Sequence, residues 1–209
     1  FWSILLVVCV KYVIFVMRAD NDGEGGILAL MALVRRLMAS HKGTGMTALL
    51  LGIVGAGLFY GDSFITPAIS VMSSVEGITV ANPVAEKIVL PASVVILTLL
   101  FLVQRRGTEA IGKAFGPVMA VWFLTLAALG IPWIVHHPAI LTALSPHWAI
   151  MFSIERPGMA FIAMGAVVLT ITGAEALYAD MGHVGAPSIR LAWFGLVLPC
   201  LLINYLGQG

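Results

Sequence analysis

Long apolar stretches set the first limit on how this 209-residue chain can fold. A helix that crosses the lipid core of a membrane needs about 20 predominantly apolar residues. Only α-helices and closed barrels satisfy their backbone in lipid, and the alternating strands of a barrel are absent from this sequence. We therefore predict an all-α integral membrane protein with one transmembrane domain over residues 1–209. Six apolar stretches can be distinguished, of which the first is short and the third marginal: 1–17, 47–75, 88–103, 114–135, 157–179 and 189–206.

The composition agrees with a chain that lies mostly in lipid. Hydrophobic residues make up 60% of the sequence and charged residues 10%, against about 25% charged residues in an ordinary soluble domain. The net charge of +1 and the absence of a basic run argue against a nucleic-acid surface. Cys9 and Cys200 lie inside apolar runs, so we expect free thiols in the core. Because Phe1 already lies in a hydrophobic run, we expect the sequence to be a fragment of a longer chain.

The lysines and arginines predict the orientation, because they accumulate in the short cytoplasmic loops of membrane proteins. Eight of them lie in the connections after the first, third and fifth stretches, and two, Lys87 and Arg156, lie in the alternate connections. This distribution places residues 18–46, 104–113 and 180–190 in the cytoplasm. The eight residues are Arg18, Arg35, Arg36, Lys42, Arg105, Arg106, Lys113 and Arg190.

The first cytoplasmic loop contains an acidic, glycine-rich segment followed by an amphipathic one. "RADNDGEGG" matches the start of a calcium-binding loop at Asp20, Asp22 and Glu24, but Met31 stands where a bidentate glutamate is required. The segment also follows no strand, which argues against a nucleotide-binding loop. We interpret it as a tight turn with acidic residues near a helix start. The following "ILALMALVRRLMAS" predicts an amphipathic helix that lies along the membrane surface.

An acidic residue, Asp62, lies within the second apolar stretch. The nearest basic residues are Lys42 on one side and Lys87 on the other. A charge near the middle of a bilayer costs about 2.5–3.5 kcal/mol even on the lenient insertion scale. Helical spacing puts Thr66 and Ser70 on the same face as Asp62. Close helix packing would explain a face of small residues but not the acid, so we predict a cation or proton site.

Pro67 adds a further oxygen to that face. Since proline has no N–H, the carbonyl of Ser63 loses its usual helical donor. The Asp62 carboxylate, the Ser63 carbonyl and the Thr66 hydroxyl would then lie within one turn, where they suit a desolvated monovalent cation. The small residues on the same stripe are Gly52, Gly55, Ser73 and Gly77.

A second acid inside an apolar stretch occurs in "TITGAEALYADMGH". Thr172 and Glu175 would share a face if this segment were helical, but Gly173 between them favours a local unwinding. Many transporters build ion sites at such breaks near mid-membrane. Alternatively, Glu175 pairs with a polar group on another helix for structural reasons. Asp180 and His183 lie nearer the cytoplasm, where we expect them at a helix end or a gate.

Five segments resemble, in the same order, the Kup/HAK/KT potassium-uptake permeases. They are "NDGEGGILALMAL", "GDSFITPAISVMSSVEGI", "QRRGTEAIGKAFGPVM", "TGAEALYADMGH" and "LAWFGLVLPCLLINYLGQG". The resemblance covers essentially the whole sequence. It implies a proton-coupled potassium transporter with the LeuT-like inverted-repeat fold of the amino acid–polyamine–organocation superfamily. The six stretches would then be helices two to seven, and the fifth stretch would be the broken sixth helix.

The resemblance also implies roles for particular residues. The family's G-D/E-x-x-x-T-P motif falls on Asp62 and Thr66, and its T-G-x-E motif falls on Thr172 and Glu175. These four residues would bind potassium, and Glu175 would also carry the proton. The family's first-helix motif is not in this sequence, so part of the site would be missing. Residues expected to gate or support the site are Ser63, Pro67, Ser70, Gly173, Tyr178 and Asp180.

The resemblance implies potassium and proton as transported ions, no cofactor and no enzymatic activity. The chain would be a multi-pass component of a bacterial inner membrane, surrounded by lipid, with no nucleic-acid partner. A homodimer could form through parts outside the fragment. We expect Asp62 and Glu175 to face one another across the helix bundle, with Thr66 and Thr172 nearby. A desolvated carboxylate gains proton affinity, so one of the two acids could load a proton outside and release it inside.

Three other functions are compatible with parts of the sequence. A potassium channel would need a filter such as TVGYG, which is absent. An amino-acid or other solute permease of the same superfamily stays open because a fold does not determine the substrate, although two site acids would serve a substrate carboxylate poorly. An intramembrane aspartyl protease is a remote alternative. Phe59 stands where the first glycine of its G-x-G-D motif belongs, and Asp180 is too close to the cytoplasm to be a second mid-membrane aspartate.

Overall fold

The computed structural model describes residues 1–37, 42–104 and 108–209, which form helices joined by turns. The predicted cytoplasmic residues Arg105 and Arg106, and the end of the predicted amphipathic segment at 38–40, lie outside this range. Short 3-10 turns cover Val16–Arg18, Pro83–Ala85 and Pro138–Leu144. The helices are π1 (Ile4–Phe15), α1 (Gly26–Leu37), α2 (Lys42–Ala81), α3 (Glu86–Gln104), α4 (Thr108–His136), α5 (His147–Glu155), α6 (Pro157–Ile171), α7 (Ala174–Ala179), α8 (Met181–Val184), α9 (Ala186–Ala192), π2 (Trp193–Val197) and α10 (Leu198–Gln208).

Five helical segments of the described chain are long and apolar enough to cross a membrane. Their large apolar side chains are widely exposed, as in Leu58 at 71% and Phe161 at 83%, which suits surfaces that face lipid. The chain is therefore an all-α, multi-pass membrane protein, as the apolar stretches predicted. The five segments are Met46–Val80, Glu86–Val103, Phe115–His136, Pro157–Ala179 and Ala186–Gln208.

The chain folds as two compact units, one formed by Phe1–Gly45 with Val118–Gly209 and the other by Met46–Pro117. In the second unit, α2 and α3 are joined through the 3-10 turn at Pro83–Ala85. The hydroxyl of Ser93, a buried residue, donates to the carbonyl of Val89 at 2.7 Å, which satisfies its polar group within α3. This unit carries Asp62 and Thr66.

The core of the first unit forms where π1 packs against α7, α9 and π2. Val13 is fully buried there, among Val8, Tyr178 and Trp193. Two polar contacts accompany this packing: Trp193 Nε1 donates to Cys9 Sγ at 3.2 Å, and Arg190 Nε donates to the carbonyl of Val13 at 3.3 Å. Both cysteines are free and buried, as predicted from their apolar surroundings.

The acidic segment before α1 is a tight turn, which confirms the sequence interpretation. Asn21 and Glu24 exchange two backbone hydrogen bonds, at 2.9 and 3.1 Å. Asp22 and Gly23 take positive φ angles of 55° and 87° between them, a conformation that favours glycine and tolerates aspartate. The N–H of Gly23 also donates to Asp20 Oδ2 at 3.1 Å. We refer to residues 19–25 as the acidic turn.

Helix α1 covers residues 27–37 of the predicted amphipathic segment and packs against α7. Ala29 is buried while Leu28 is 53% exposed, so the two sides of the helix differ in environment. Its position along a membrane surface stays a prediction. Between α4 and α6, where the sequence suggested only a connection, the chain forms the 3-10 turn at Pro138–Leu144 and the nine-residue helix α5.

Helices α4 and α10 cross closely in the first unit because both carry glycine at the crossing. A Cβ atom added to Gly130 would lie 2.7 Å from the carbonyl oxygen of Ile203 and 3.2 Å from the Cα of Asn204. A Cβ on Gly207 would in turn meet the backbone of Gly130. Backbone atoms cannot move aside as a flexible side chain can, so the crossing requires small residues.

We expect Gly130→Ala to destabilise the full-length protein that contains this chain by about 1–3 kcal/mol, because the added methyl group overpacks the crossing. The thermal unfolding midpoint in detergent should therefore fall. Gly165→Ala is the matched control, since Gly165 lies inside α6 with nothing within 4 Å of an added Cβ. There alanine should leave the midpoint unchanged or raise it. Equal midpoints for the two variants would contradict the close crossing.

Candidate functional site

Asp62 and Thr66 form the polar centre of α2. The helix is continuous from Lys42 to Ala81, so the two residues lie one turn apart on one face. Thr66 Oγ1 donates a hydrogen bond to Asp62 Oδ1 at 2.7 Å. Both side chains are half-buried. The pair places a carboxylate and a hydroxyl oxygen side by side within an apolar helix.

The neighbouring residues add backbone oxygens to this face. Pro67 lies inside α2 and has no N–H to offer to the carbonyl of Ser63. The Ser63 hydroxyl donates to the carbonyl of Phe59 at 2.9 Å, and the carbonyl of Ser70 accepts a bond from the Ser74 hydroxyl at 2.8 Å. Ser63 and Ser70 are exposed. The carbonyl released by Pro67 thus lies within one turn of the Asp62–Thr66 pair.

The membrane-spanning segment 157–179 is interrupted at Thr172 and Gly173. Helix α6 ends at Ile171 and α7 begins at Ala174. Thr172 is extended, with φ −62° and ψ 143°, and Gly173 takes a left-handed φ of 89°. Glycine adopts that conformation without the steric cost that a Cβ would impose. The unwinding predicted at Gly173 is therefore confirmed.

Two side chains at the break form hydrogen bonds with backbone groups on either side of it. Thr172 Oγ1 lies 2.7 Å from the carbonyl oxygen of Leu169 and 3.0 Å from that of Val168, so its hydroxyl caps the end of α6. Glu175 Oε1 accepts a hydrogen bond from the N–H of Gly173 at 3.2 Å. Because the chain is extended at Thr172, the condition for Thr172 and Glu175 to share a helical face is not met. Thr172 instead bonds the backbone at the end of α6, and Glu175 bonds the backbone just before α7.

A cavity of about 330 Å³ lies beside the break, within the first unit. Residues 170–174 form one wall, and mainly apolar side chains of π1, α4, π2 and α10 form the others. A continuous helix would bond the N–H groups of Ala174 and Glu175 to the carbonyls of Thr170 and Ile171. Neither bond is formed in the described chain. The break therefore offers carbonyl oxygens at the edge of a largely apolar cavity, which sequence patterns could not have revealed.

Tyr178 and Asp180 lie at the far end of α7. Tyr178 is only 4% exposed, and its hydroxyl donates to the carbonyl of Ala19 in the acidic turn. Asp180 is exposed and follows the last residue of α7; its N–H bonds the carbonyl of Ala176 at 2.8 Å and its carbonyl accepts from the N–H of His183 at 3.0 Å. The position of Asp180 at a helix end agrees with the sequence interpretation, whereas the partner of Tyr178 was not foreseen.

The predicted site residues thus form two local groups. Asp62, Thr66 and the Ser63 carbonyl belong to the Met46–Pro117 unit. Thr172 and Glu175 belong to the other unit, at its helix break. Each group combines one carboxylate with a threonine hydroxyl and with carbonyl oxygens released from helical bonding. That the two groups face one another stays a prediction.

Known proteins resemble the chain over its full length. It is 95% identical over 209 residues to "Probable potassium transport system protein Kup" of Cutibacterium acnes, covering 32% of that protein. It is 56% identical over 209 residues to "Probable potassium transport system protein Kup 1" of Cupriavidus necator, covering 33%. The Kup protein of Corynebacterium glutamicum is 57% identical over 208 residues, also with 33% covered. The chain therefore spans about a third of the length of the curated relatives it matches.

No solved structure matches the chain. Its residues 1–209 match the family described as "K+ potassium transporter integral membrane domain" from end to end. The motifs around Asp62 and Glu175 that resemble the Kup/HAK/KT permeases lie within that match. The chain belongs to the K+ potassium transporter integral membrane domain family, the Kup/HAK/KT family of multi-pass membrane transporters in bacterial cell membranes.

Proposed function

We propose that the chain is part of a transporter that takes up potassium by proton-coupled symport with alternating access. The observation that carries this proposal is the Asp62–Thr66 pair inside an apolar helix, beside the carbonyl released by Pro67. An acid within a membrane-spanning segment is costly in lipid and is by default a functional group. The names of the relatives, which describe potassium transport systems, support the choice of ion.

The potassium site in this proposal uses oxygen atoms in place of the hydration shell of the ion. Asp62 supplies one full negative charge, while the Thr66 hydroxyl and the Ser63 carbonyl supply neutral oxygens. Hydroxyl and carbonyl oxygens suit potassium, as in channels that select it through carbonyl oxygens. In the other unit, Thr172 and the carbonyls near the break supply oxygen atoms of the same kind. We also propose the LeuT-like inverted-repeat fold, since a membrane helix broken beside an acid is typical of transporters built on it.

Glu175 carries the proton in this proposal. It lies next to the break, where a small rearrangement of α6 and α7 could expose it to either side of the membrane in turn. Moving one charge across the membrane is worth about 2.3 kcal/mol per 100 mV, and a proton that moves with potassium roughly doubles that driving force. Symport can therefore accumulate potassium where a uniporter would stall.

A solute permease of the same superfamily is the second candidate. Its support is the helix break itself, because such breaks also bind organic substrates. Two acids beside the proposed site argue against a substrate that carries a carboxylate, since like charges would repel it. Uptake of rubidium, and its competition by potassium but not by amino acids, distinguishes the two functions in cells that lack their own potassium uptake.

We expect Asp62→Asn to abolish rubidium uptake by the full-length protein. Asparagine keeps the shape and can still accept the Thr66 hydrogen bond, but the charge that balances the cation is lost. A Coulomb energy of about 4 kcal/mol at 4 Å and an effective dielectric constant of 20 corresponds to a loss of affinity on the order of 100-fold or more. Membrane insertion should be normal because the neutral side chain is easier to place in lipid.

The control for this variant is Glu76→Gln, which neutralises an exposed acid further along α2. It should leave rubidium uptake close to that of the wild type. Near-normal affinity in Asp62→Asn would return Asp62 to a packing role and would contradict the proposed potassium site.

A threonine series tests the hydroxyl beside Asp62. Thr66→Val keeps the branched shape but removes the hydrogen bond to the carboxylate, which is worth about 1.5–3 kcal/mol when a charged group takes part. We expect the rubidium KM to rise roughly tenfold or more. Thr66→Ser restores the hydroxyl and should recover most of the affinity. If both variants change KM equally, the methyl group and not the hydroxyl matters.

Glu175→Gln separates proton coupling from cation binding. Glutamine imitates the protonated acid and can still accept the N–H of Gly173, so the break should persist. In liposomes with an imposed inward proton gradient, the variant should lose gradient-driven potassium accumulation and its dependence on pH. Passive rubidium exchange should survive because Asp62 remains. A full response of this variant to the gradient would assign the coupling to another group.

A further inference from the structure

The C-terminal end of α7 is joined to a segment far away in sequence. Tyr178, which is 4% exposed, donates its hydroxyl proton to the carbonyl of Ala19, a residue 159 positions earlier in the chain. Ala19 lies in the acidic turn that follows π1 and its 3-10 extension. A buried tyrosine hydroxyl needs a partner, and this one takes it from the backbone and not from a side chain. The contact therefore depends on where the turn lies.

Glycines bring the acidic turn and α7 into direct backbone contact. A Cβ atom added to Gly25 would overlap the carbonyl of Tyr178, and one added to Gly26 would lie 3.5 Å from the Cα of Ala179. On the opposite side, a Cβ on Gly182 would meet the carboxylate of Glu24. At Gly25 the turn is thus seated on α7 at a distance that a side chain would not permit, and the Glu24 carboxylate lies against the start of α8. We call this the turn–α7 contact.

Helix α7 is too short to hold its own orientation. It has six residues, and isolated helices of fewer than about 12–15 residues are marginal even with favourable sequences. It is also separated from α6 at Gly173, with φ 89°, and the following α8 ends at Gly185, with φ 79°. No continuous helix therefore fixes its direction. Tertiary contacts must do so, and the Tyr178 hydrogen bond is a polar one among them.

Glu175 is on this short helix, one turn before Tyr178. Its carboxylate bonds the N–H of Gly173, so the acid is tied to the break at one end of α7 while Tyr178 is tied to the acidic turn at the other. A rotation or tilt of α7 would move the Glu175 carboxylate relative to any cation held beside the break.

We infer that Tyr178 is a positioning residue: its hydrogen bond to Ala19 and the glycine-lined turn–α7 contact hold α7 so that Glu175 is aligned with the helix break at Thr172 and Gly173. This inference rests on the proposed function in that Glu175 and Thr172 take part in ion transport. It goes further in assigning the alignment of Glu175 to the segment that follows π1. The acidic turn then takes part in ion affinity without touching the ion.

The first test is Tyr178→Phe in the full-length protein, which removes only the hydroxyl. We expect the rubidium KM to rise roughly 2- to 10-fold, the change that corresponds to a typical hydrogen bond, with an unchanged maximal rate per molecule in the membrane. Tyr12→Phe is the matched control. It lies in the same unit, and its hydroxyl has no hydrogen-bond partner among the described residues, so its KM should not change. A merely structural role would lower the amount of protein and leave KM unaltered.

A second measurement does not depend on transport. Hydrogen exchange of the purified full-length protein in lipid nanodiscs should show faster exchange at residues 174–180 and 19–25 in Tyr178→Phe, and no change there in Tyr12→Phe. If the wild type takes up no rubidium but these segments exchange faster, the contact stands and the proposed transport function fails. Unchanged exchange in both segments, or an unchanged KM in a transporting protein, overturns the positioning role.

A glycine variant keeps the test decisive if Tyr178→Phe does not accumulate in the membrane. Gly25→Ala leaves the tyrosine intact but forces the acidic turn away from the carbonyl of Tyr178. It should raise KM and accelerate exchange at 174–180 in the same way. Gly165→Ala, at a helical glycine with open space around it, should do neither. If Gly25→Ala has the same KM and the same hydrogen-exchange rates as Gly165→Ala, the turn does not position α7 and the inference is wrong.

Discussion

In lipid no water is present to satisfy a backbone N–H or carbonyl group, so a spanning chain must bond nearly all of them to itself. Departures from this rule are costly. In the described chain, two of them occur beside the acids that interrupt the apolar stretches. Pro67 leaves the carbonyl of Ser63 without a helical donor next to Asp62, and the break at Thr172 and Gly173 interrupts the backbone next to Glu175. In each unit, an interrupted backbone and an acid occur together.

The structural and the functional roles of these side chains do not exclude one another. The Thr66 hydroxyl bonds Asp62, and the Thr172 hydroxyl caps the end of α6. A hydroxyl that donates its proton keeps oxygen lone pairs that can still contact a cation. Donation to a carboxylate or a carbonyl also fixes the direction of those lone pairs. The bonds that stabilise the chain can therefore preorganise its oxygens, and a cation need not break them to bind.

The sequence predicted the features that depend on the surrounding lipid and on local residue types. The lengths of the apolar stretches predicted the spanning helices. Gly173 predicted the break, because only glycine adopts its φ of 89° without strain. The acidic turn followed from its glycines and aspartates. Hydropathy does not say which helices touch, however, so it could not predict the cavity beside the break or the bond from Tyr178 to Ala19. The sequence analysis likewise predicted neither the π winding of π1 nor the short helix α5.

The number of acids bears on why potassium and proton would move together. An ionised carboxylate within lipid is costly, which favours positive charge beside each of the two acids. One potassium ion held at Asp62 and one proton on Glu175, as proposed, would neutralise both. Potassium alone would leave one net negative charge within the membrane, and a proton alone would do the same. The doubly loaded protein would then be the state that can change its access most easily. Coupling would follow from charge balance, without a separate gate that recognises each ion.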